Sequence, residues 1–186
     1  MNPSMRLQRE DSVLVVIDVQ EGLLRAMDQE IGKKMIRNVQ ILIRFAMEMG
    51  IPVLATEQYP KGLGETVPEI KKTWGAVVPL EKTTFSCCAL EPFDQHLNSS
   101  KRRQVILTGT ETHVCVLQTA ADLVEAGYEV HVAADAVCSR RKLDWERGLR
   151  WMEKKGATIS TTEIVAFQLL RRAGTEEFRK LSKLIR

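Results

Sequence analysis

The chain has 186 residues, 44% hydrophobic and 27% charged, which is an ordinary soluble composition with enough length to bury a full core. Its 27 Lys and Arg against 24 Asp and Glu leave a net charge of +3, too slight an excess to argue for nucleic acid by itself. No apolar run approaches the ~20 residues of a membrane span, Met1–Met5 carries no apolar leader core, and four cysteines without a CxxC pair do not form a disulfide or zinc framework.

Ser12 to Ile17 is a β-branched apolar run ending at Asp18, the pattern of a strand buried on both faces. Met27 to Gly50 carries Ile31, Met35, Val39, Leu42, Ile43, Ala46 and Met47 at helical spacing, closed by Gly50. Pro52 to Ala55 reads as a second strand, followed by Thr56-Glu57-Gln58-Tyr59-Pro60. Lys61 to Gly75, with Gly62, Gly64, Pro68 and Gly75, reads as a long loop of the kind that shapes a binding site, with Trp74 at its mouth or at a subunit contact. Ala76 to Leu80 is a short third strand leading to Glu81-Lys82, and Ala89 to Leu97 a helix. Gln104 to Leu107 is the fourth strand; Thr112 to Ala126 is a central helix ended by Gly127. Tyr128 to Ala134 is the fifth strand, stopping at Asp135. A helix over Asp144 to Lys155 precedes a sixth strand at Ala157 to Ser160. Ser160 and Glu163 form a capping-box pattern for a helix through Leu170. Thr175 caps a last helix carrying Phe178, Leu181, Leu184 and Ile185. Alternating strands and helices predict one α/β domain over residues 1–186, a mostly parallel sheet with helices on both faces. Ligands in such folds bind beyond the carboxyl ends of the strands.

Three residues fall at that edge: Asp18 after the first strand, Lys82 after the third and Cys115 after the fourth. A thiol in the first turns of a helix tends toward a lowered pKa and nucleophilic character; a small buried core cysteine is the plain alternative. With the carboxylate to take and return a proton and the ammonium to favour the thiolate, the three suit covalent attack on a carbonyl carbon. A peroxide-sensing thiol and a protein-interaction module on the same scaffold are the rival readings.

The runs Asp18-Val19-Gln20, Lys82-Thr83-Thr84-Phe85-Ser86 and Gly109-x-x-Thr112-x-x-Cys115-Val116-x-x-Thr119-Ala120 resemble the isochorismatase-like cysteine hydrolase superfamily, which includes nicotinamidases and carbamoylsarcosine amidohydrolases. The resemblance covers nearly the whole chain. It implies a three-layer doubly wound sheet of six strands in the order 3-2-1-4-5-6 and a catalytic triad of Asp18, Lys82 and Cys115. It also implies a cis peptide at Thr110–Glu111 that turns the N–H groups of Glu111 and Cys115 toward an oxyanion. The run from Thr56 to Gly64, with Thr66-Val67-Pro68-Glu69, is similar to the branch of isochorismatase-domain proteins whose substrate is unsettled. Nicotinamidases place an Asp-x-His and a further His for a metal after the second strand; Glu57, Gln58 and Tyr59 stand there instead, so no metal and no cofactor are expected. The aromatic residue often found five positions after the first-strand Asp is Leu23 here.

Gln20, Tyr59 and Phe85 are the substrate-pocket candidates. His113 sits two residues from Cys115 and so points elsewhere; His96 and His131 read as structural or exposed. Asp135 is expected to bond loop N–H groups, and adjacent Cys87 and Cys88 to lie near the pocket without forming a disulfide. The basic clusters Lys101–Arg103, Arg140–Lys142 and Arg171–Arg172 read as solvated faces and helix ends. The expected protein is a cytoplasmic, homo-oligomeric (dimeric or tetrameric) hydrolase of a small molecule, cleaving a C–N bond in an amide or ureide ahead of an isochorismate-type ether, with no nucleic-acid or membrane partner.

Overall fold

The computed structural model describes residues 6–185, so the reading of Met1–Met5 lies outside it. Six strands, β1 (Ser12–Ile17), β2 (Val53–Gln58), β3 (Leu80–Lys82), β4 (Gln104–Thr110), β5 (Glu129–Cys138) and β6 (Thr158–Ser160), form one sheet in the order β3-β2-β1-β4-β5-β6. Every neighbouring pair is parallel, so the strand order and the sheet class expected from the resemblance hold.

Period-two alternation splits the core into two layers. After the single turn α1 (Glu21–Leu24), the long helices begin: Leu14 and Val16 of β1 and Ile106 of β4 face helices α2 (Gln29–Glu48), α4 (Pro68–Trp74) and α8 (Thr162–Leu170). Val13, Val15 and Ile17, with Val105 and Leu107, face α5 (Glu91–Ser100), α6 (Leu117–Glu125) and α7 (Lys142–Lys154). In α2 the buried stripe is Met35, Val39, Ile41, Leu42, Ile43, Phe45 and Ala46. Ile31 and Met47, expected on that stripe, are half exposed, at 50% and 51%.

The segment read as a loop, 61–75, is partly helical. Short helices α3 (Pro60–Leu63) and α4 each begin at a proline, whose missing N–H costs nothing in a first turn, and end at Gly64 and Gly75 with positive φ. Trp74 does not line a mouth; it is 3% exposed in the α2 layer. The third strand lies later than expected, so Lys82 is its last residue. The second and fifth strands run farther: Thr56, Glu57 and Gln58 extend β2, and Asp135 lies inside β5 rather than after it. Thr161, not Ser160, caps α8, its hydroxyl accepting from Ile164 N–H at 3.3 Å. Thr175 caps the last helix, α9 (Glu176–Leu181), as expected.

Where β1 and β4 run side by side, the backbones meet at Gly109. A Cβ built there would lie 1.9 Å from the Ile17 carbonyl oxygen, and the residue's φ of +108° is itself unfavourable to any L side chain. Gly109→Ala is therefore expected to destabilise the chain by about 3 kcal/mol or more, read from urea unfolding. A loss under ~1 kcal/mol would mean that the two strands can part locally.

Candidate active site

The site is built at the carboxyl ends of β1, β2, β3 and β4. Asp18 takes a left-handed turn (φ 49°) directly after β1, a conformation that Asp tolerates better than most residues. The Thr110 hydroxyl donates to its carbonyl at 2.6 Å. Each oxygen of its carboxylate has one donor: Oδ1 accepts from the Thr56 hydroxyl at 2.7 Å and Oδ2 from Lys82 Nζ at 2.7 Å. Both side chains of this ion pair are 0% exposed. The Lys82 ammonium also donates to Gln58 Oε1 at 2.6 Å and to the carbonyls of Thr84 and Phe85 at 3.2 and 3.1 Å. Four acceptors around three N–H donors fix the ammonium in place.

Cys115 comes to this pair from β4. The Thr110–Glu111 peptide is cis, as the resemblance implies, and residues Thr112–Val116 then form a π turn in which Val116 N–H reaches back to the Glu111 carbonyl at 3.2 Å. Such wide turns recur at functional sites. The expected α-helix from Thr112 begins only at Leu117. The turn sets Cys115, 4% exposed, where the charges of Asp18 and Lys82 both act on its thiol.

An isochorismatase-domain model matches residues 12–164 of the chain. The chain belongs to the isochorismatase family. Among its relatives, the secreted isochorismatase effector Isc1 of Phytophthora sojae is 39% identical over 97% of this chain and 87% of that protein. The structure of MAR1 ribonuclease from Caenorhabditis elegans superposes with a TM-score of 0.91 at 39% identity, covering 97% of this chain and 92% of that one. The YcaC gene product of Escherichia coli, described as an octameric hydrolase of unknown specificity, superposes with a TM-score of 0.90 at 25% identity, covering 100% and 91%.

In this isochorismatase-family chain the electrostatics of the thiol differ from the sequence expectation. Burial, then the Asp18 negative charge, push the Cys115 thiol up to about 12, and the Lys82 charge offsets them only in part. The helix-end argument for a lowered pKa fails because the residue is nearly dry and sits beside an anion. For Lys82 the desolvation penalty is the largest single effect and lowers its pKa, yet attraction to Asp18, Cys115 and Cys87 together raises it above the ordinary 10.5.

The other candidates separate clearly. Gln20, expected in the substrate pocket, is 0% exposed and ties down the first loop instead. Its amide donates to the carbonyls of Gln58 (3.0 Å) and Gly64 (2.6 Å) and accepts from Gln58 N–H (2.7 Å). Tyr59 is 54% exposed and, with Lys61, Glu81, Thr83 and Leu90, lines a recess of about 360 Å³ that reaches Lys82. Phe85 is 52% exposed while its carbonyl holds Lys82. Glu57, where nicotinamidases have a metal ligand, accepts from both the N–H and the hydroxyl of Thr66 at 2.6 and 2.7 Å. Among the described residues no three His, Cys, Asp or Glu side chains group as a metal ion would need.

His113 turns away from Cys115 to Ser139, with Nδ1 2.9 Å from Oγ. His96 is exposed against the Pro92 carbonyl, and His131 is buried with Nδ1 unpartnered. Asp135 does bond a backbone N–H, that of Thr162 at the start of α8, at 2.7 Å. Cys87 is 0% exposed with its sulfur 3.7 Å from the Thr56 hydroxyl, and all four cysteines are free thiols. Thr56 and Gln58 are the site residues that sequence reading missed; their spacing of two, on the face pointing at Asp18 and Lys82, was the available signal.

Lys82→Ala leaves the Asp18 carboxylate buried without its counter-charge and is expected to cost about 3–5 kcal/mol. The Asp18→Asn/Lys82→Met double variant should be less destabilised than Lys82→Ala, which urea unfolding of the set would measure.

Alkaline stability follows from the thiols. Burial raises all four from an ordinary 9.0, Cys87 to about 11 and Cys88, Cys115 and Cys138 to about 12. Between about pH 9 and 12 the unfolded chain releases protons that the folded chain keeps. The stabilising Lys82 contribution, full below 10.5, is lost in the same direction as pH rises through its elevated value. Stability should therefore fall above pH ~9, by up to about 1.4 kcal/mol per pH unit for each such thiol, in unfolding curves taken at stepped alkaline pH. A flat profile would show that the thiols ionise freely in the folded chain.

Proposed function

We propose that this isochorismatase-family protein is a cysteine-dependent hydrolase that cleaves a C–N bond of a small amide or ureide through a covalent Cys115 intermediate. The observation that carries the reading is the fully buried Asp18–Lys82 pair, whose charges both act on the Cys115 thiol. A structural ion pair has no need of a neighbouring thiol, whereas acyl transfer needs all three.

The resting nucleophile is a thiol, with its pKa near 12, so the proton leaves as the sulfur attacks. Asp18 accepts that proton while the S–C bond forms and the carbonyl electrons move to oxygen. The N–H groups of Glu111 and Cys115 hold the oxyanion. Asp18 then returns the proton to the departing nitrogen as the C–N bond breaks, leaving an acyl-thiol. Water attacks that carbon and gives its proton to Asp18, and as the S–C bond breaks Asp18 returns that proton to the sulfur, restoring the thiol and the carboxylate. Lys82, 2.7 Å from Asp18 Oδ2, holds the carboxylate in position through the cycle. Tyr59 and Phe85, both half exposed beside Lys82, form the walls where substrates differ.

A peroxide sensor would want an exposed thiol of low pKa, and Cys115 is neither exposed nor acidic. Three cations of the basic clusters are committed to the fold. Arg102 donates to the Ser12 carbonyl (2.9 Å), Arg103 to Gly127 (2.8 Å) and Arg171 to Leu7 (2.7 Å), so these cations brace the backbone. No helix among the described residues is long and apolar enough to cross a membrane. Self-association fits half-exposed Ile164 and Phe167 on α8 and the octamer described for YcaC.

Ammonia release from a panel of small amides and ureides, with RNA as a further arm, tests the reading. Turnover should fall more than ~10³-fold in Cys115→Ala and in Asp18→Asn, and acid quench should trap a substrate-derived mass on the Cys115 peptide. Undiminished turnover in Cys115→Ala would overturn it. Iodoacetamide labelling of Cys115 should keep rising with pH above 9 rather than level off near neutrality.

A further inference from the structure

Helix α8 is apolar on both of its faces, the pattern of a helix with protein packed on each side. Toward the core, Val165, Ala166, Leu169 and Leu170 are buried. Toward solvent, Ile164 and Phe167 are 47% exposed each, neighbours on one face at i and i+3. Beside them lies a shallow recess of about 540 Å³ lined by Arg6, Ile164, Phe167, Gln168 and Arg171. Its walls are held in place. Gln168 Oε1 accepts from the Leu7 N–H at 2.9 Å, and Arg171 Nη2 donates to the Leu7 carbonyl at 2.7 Å. The Phe167 ring leans on that of Phe178, with centroids 6.5 Å apart.

The charges on this face are ordered. Glu163, Phe167 and Arg171 fall at i, i+4 and i+8, an acid one turn before the ring and a base one turn after it. Glu163 is exposed, with no side-chain partner among the described residues. Arg171, also exposed, gives Leu7 one of its five N–H groups and keeps the others. Neighbouring charges are engaged elsewhere: Arg6 has an interaction of its own, Glu177 pairs with Arg9 at 3.1 Å, and Lys180 pairs with Glu48. Arg172, Glu176 and Arg179 follow the end of the helix and lie off this ridge.

We infer that α8 is a docking face for a second copy of this chain, paired antiparallel about a two-fold axis at Phe167. Glu163 and Arg171 each lie four residues from that axis, so Glu163 of each chain meets Arg171 of the other. A parallel pairing would set Glu163 against Glu163 and is disfavoured. In the antiparallel pair the i±4 ridge of each helix enters the i±4 groove of the other, the commonest helix packing. Ile164 and Gln168 form the next ridge, so the groove is the recess, and Phe167 of each chain fills the recess of the other. One ridge carries both halves of the charge complementarity, which selects a second copy over an unrelated partner. The inference does not depend on the chemistry assigned to Cys115.

Sedimentation of the full chain over a range of concentrations tests it, with circular dichroism checking the fold of each variant. Phe167→Asp, at an exposed position, should reduce the mass of the assembly to half or less. Glu163→Arg sets Arg against Arg171 twice, and Arg171→Glu sets Glu against Glu163 twice; each alone should weaken association about tenfold. An equimolar mixture of these two variants should associate again, because every interface between them then holds two opposite-charge pairs. A native chain that is monomeric throughout, an unchanged mass in Phe167→Asp, or unchanged association in Glu163→Arg would overturn the inference. So would a mixture of the two folded charge variants that associates no better than its components.

Discussion

An ammonium and a carboxylate with no exposed side-chain surface are the constraint on which the rest of this fold's carboxyl edge depends. Removing both charges from water costs several kcal/mol each, and their attraction repays that only when the remaining donors and acceptors are also met. Here they are met from one strand and one loop: Thr56 of β2 on one carboxylate oxygen, Gln58 of β2 on the ammonium, and the Thr84 and Phe85 carbonyls beneath it. The parallel register makes this possible. Ile17 stands opposite Thr56, and Gln58 opposite Lys82. A one-residue slip of β2 would turn Thr56 and Gln58 to the other face and strand both charges. The register of the sheet and the geometry of the site are thus one requirement.

The same pair explains the state of the thiol. A lone lysine beside Cys115 would favour a thiolate, but Lys82 is already paired with Asp18, and the carboxylate's charge also acts on the sulfur. Burial adds to this, so the proton stays on sulfur until attack begins. A buried anion beside the thiol is an obstacle to forming a thiolate in advance and an asset for removing its proton during the reaction. Both follow from the position of Asp18, and the second makes sense of the first.

This logic also accounts for what could and could not be read from residues alone. Asp18, Lys82 and Cys115 were legible because each ends or follows an apolar run, and strand ends are where polar side chains escape the core. The strand order and the cis peptide at Thr110–Glu111 came with the family resemblance rather than from periodicity. Thr56, Glu57 and Gln58 read as a polar loop, since hydrophobicity reports burial against apolar neighbours, and these three are buried against polar ones. Gln20 failed for the same reason: its position near Asp18 suggested substrate, but its amide satisfies three backbone groups, two at the end of β2 and one at Gly64. The helices in 61–75 were hidden by glycines and prolines that mark their ends as readily as they mark a loop.

What holds the π turn on the side away from Asp18 is a second set of contacts. Arg140 clamps Glu111, Ser139 meets His113, and α7 presses so closely that a Cβ at Gly148 would lie 3.2 Å from His113 Cα. Cys115 is therefore gripped between two structures, the ion pair on one side and the end of β5 with α7 on the other. The ion pair sets the charge the sulfur feels; the β5 end sets where the sulfur sits.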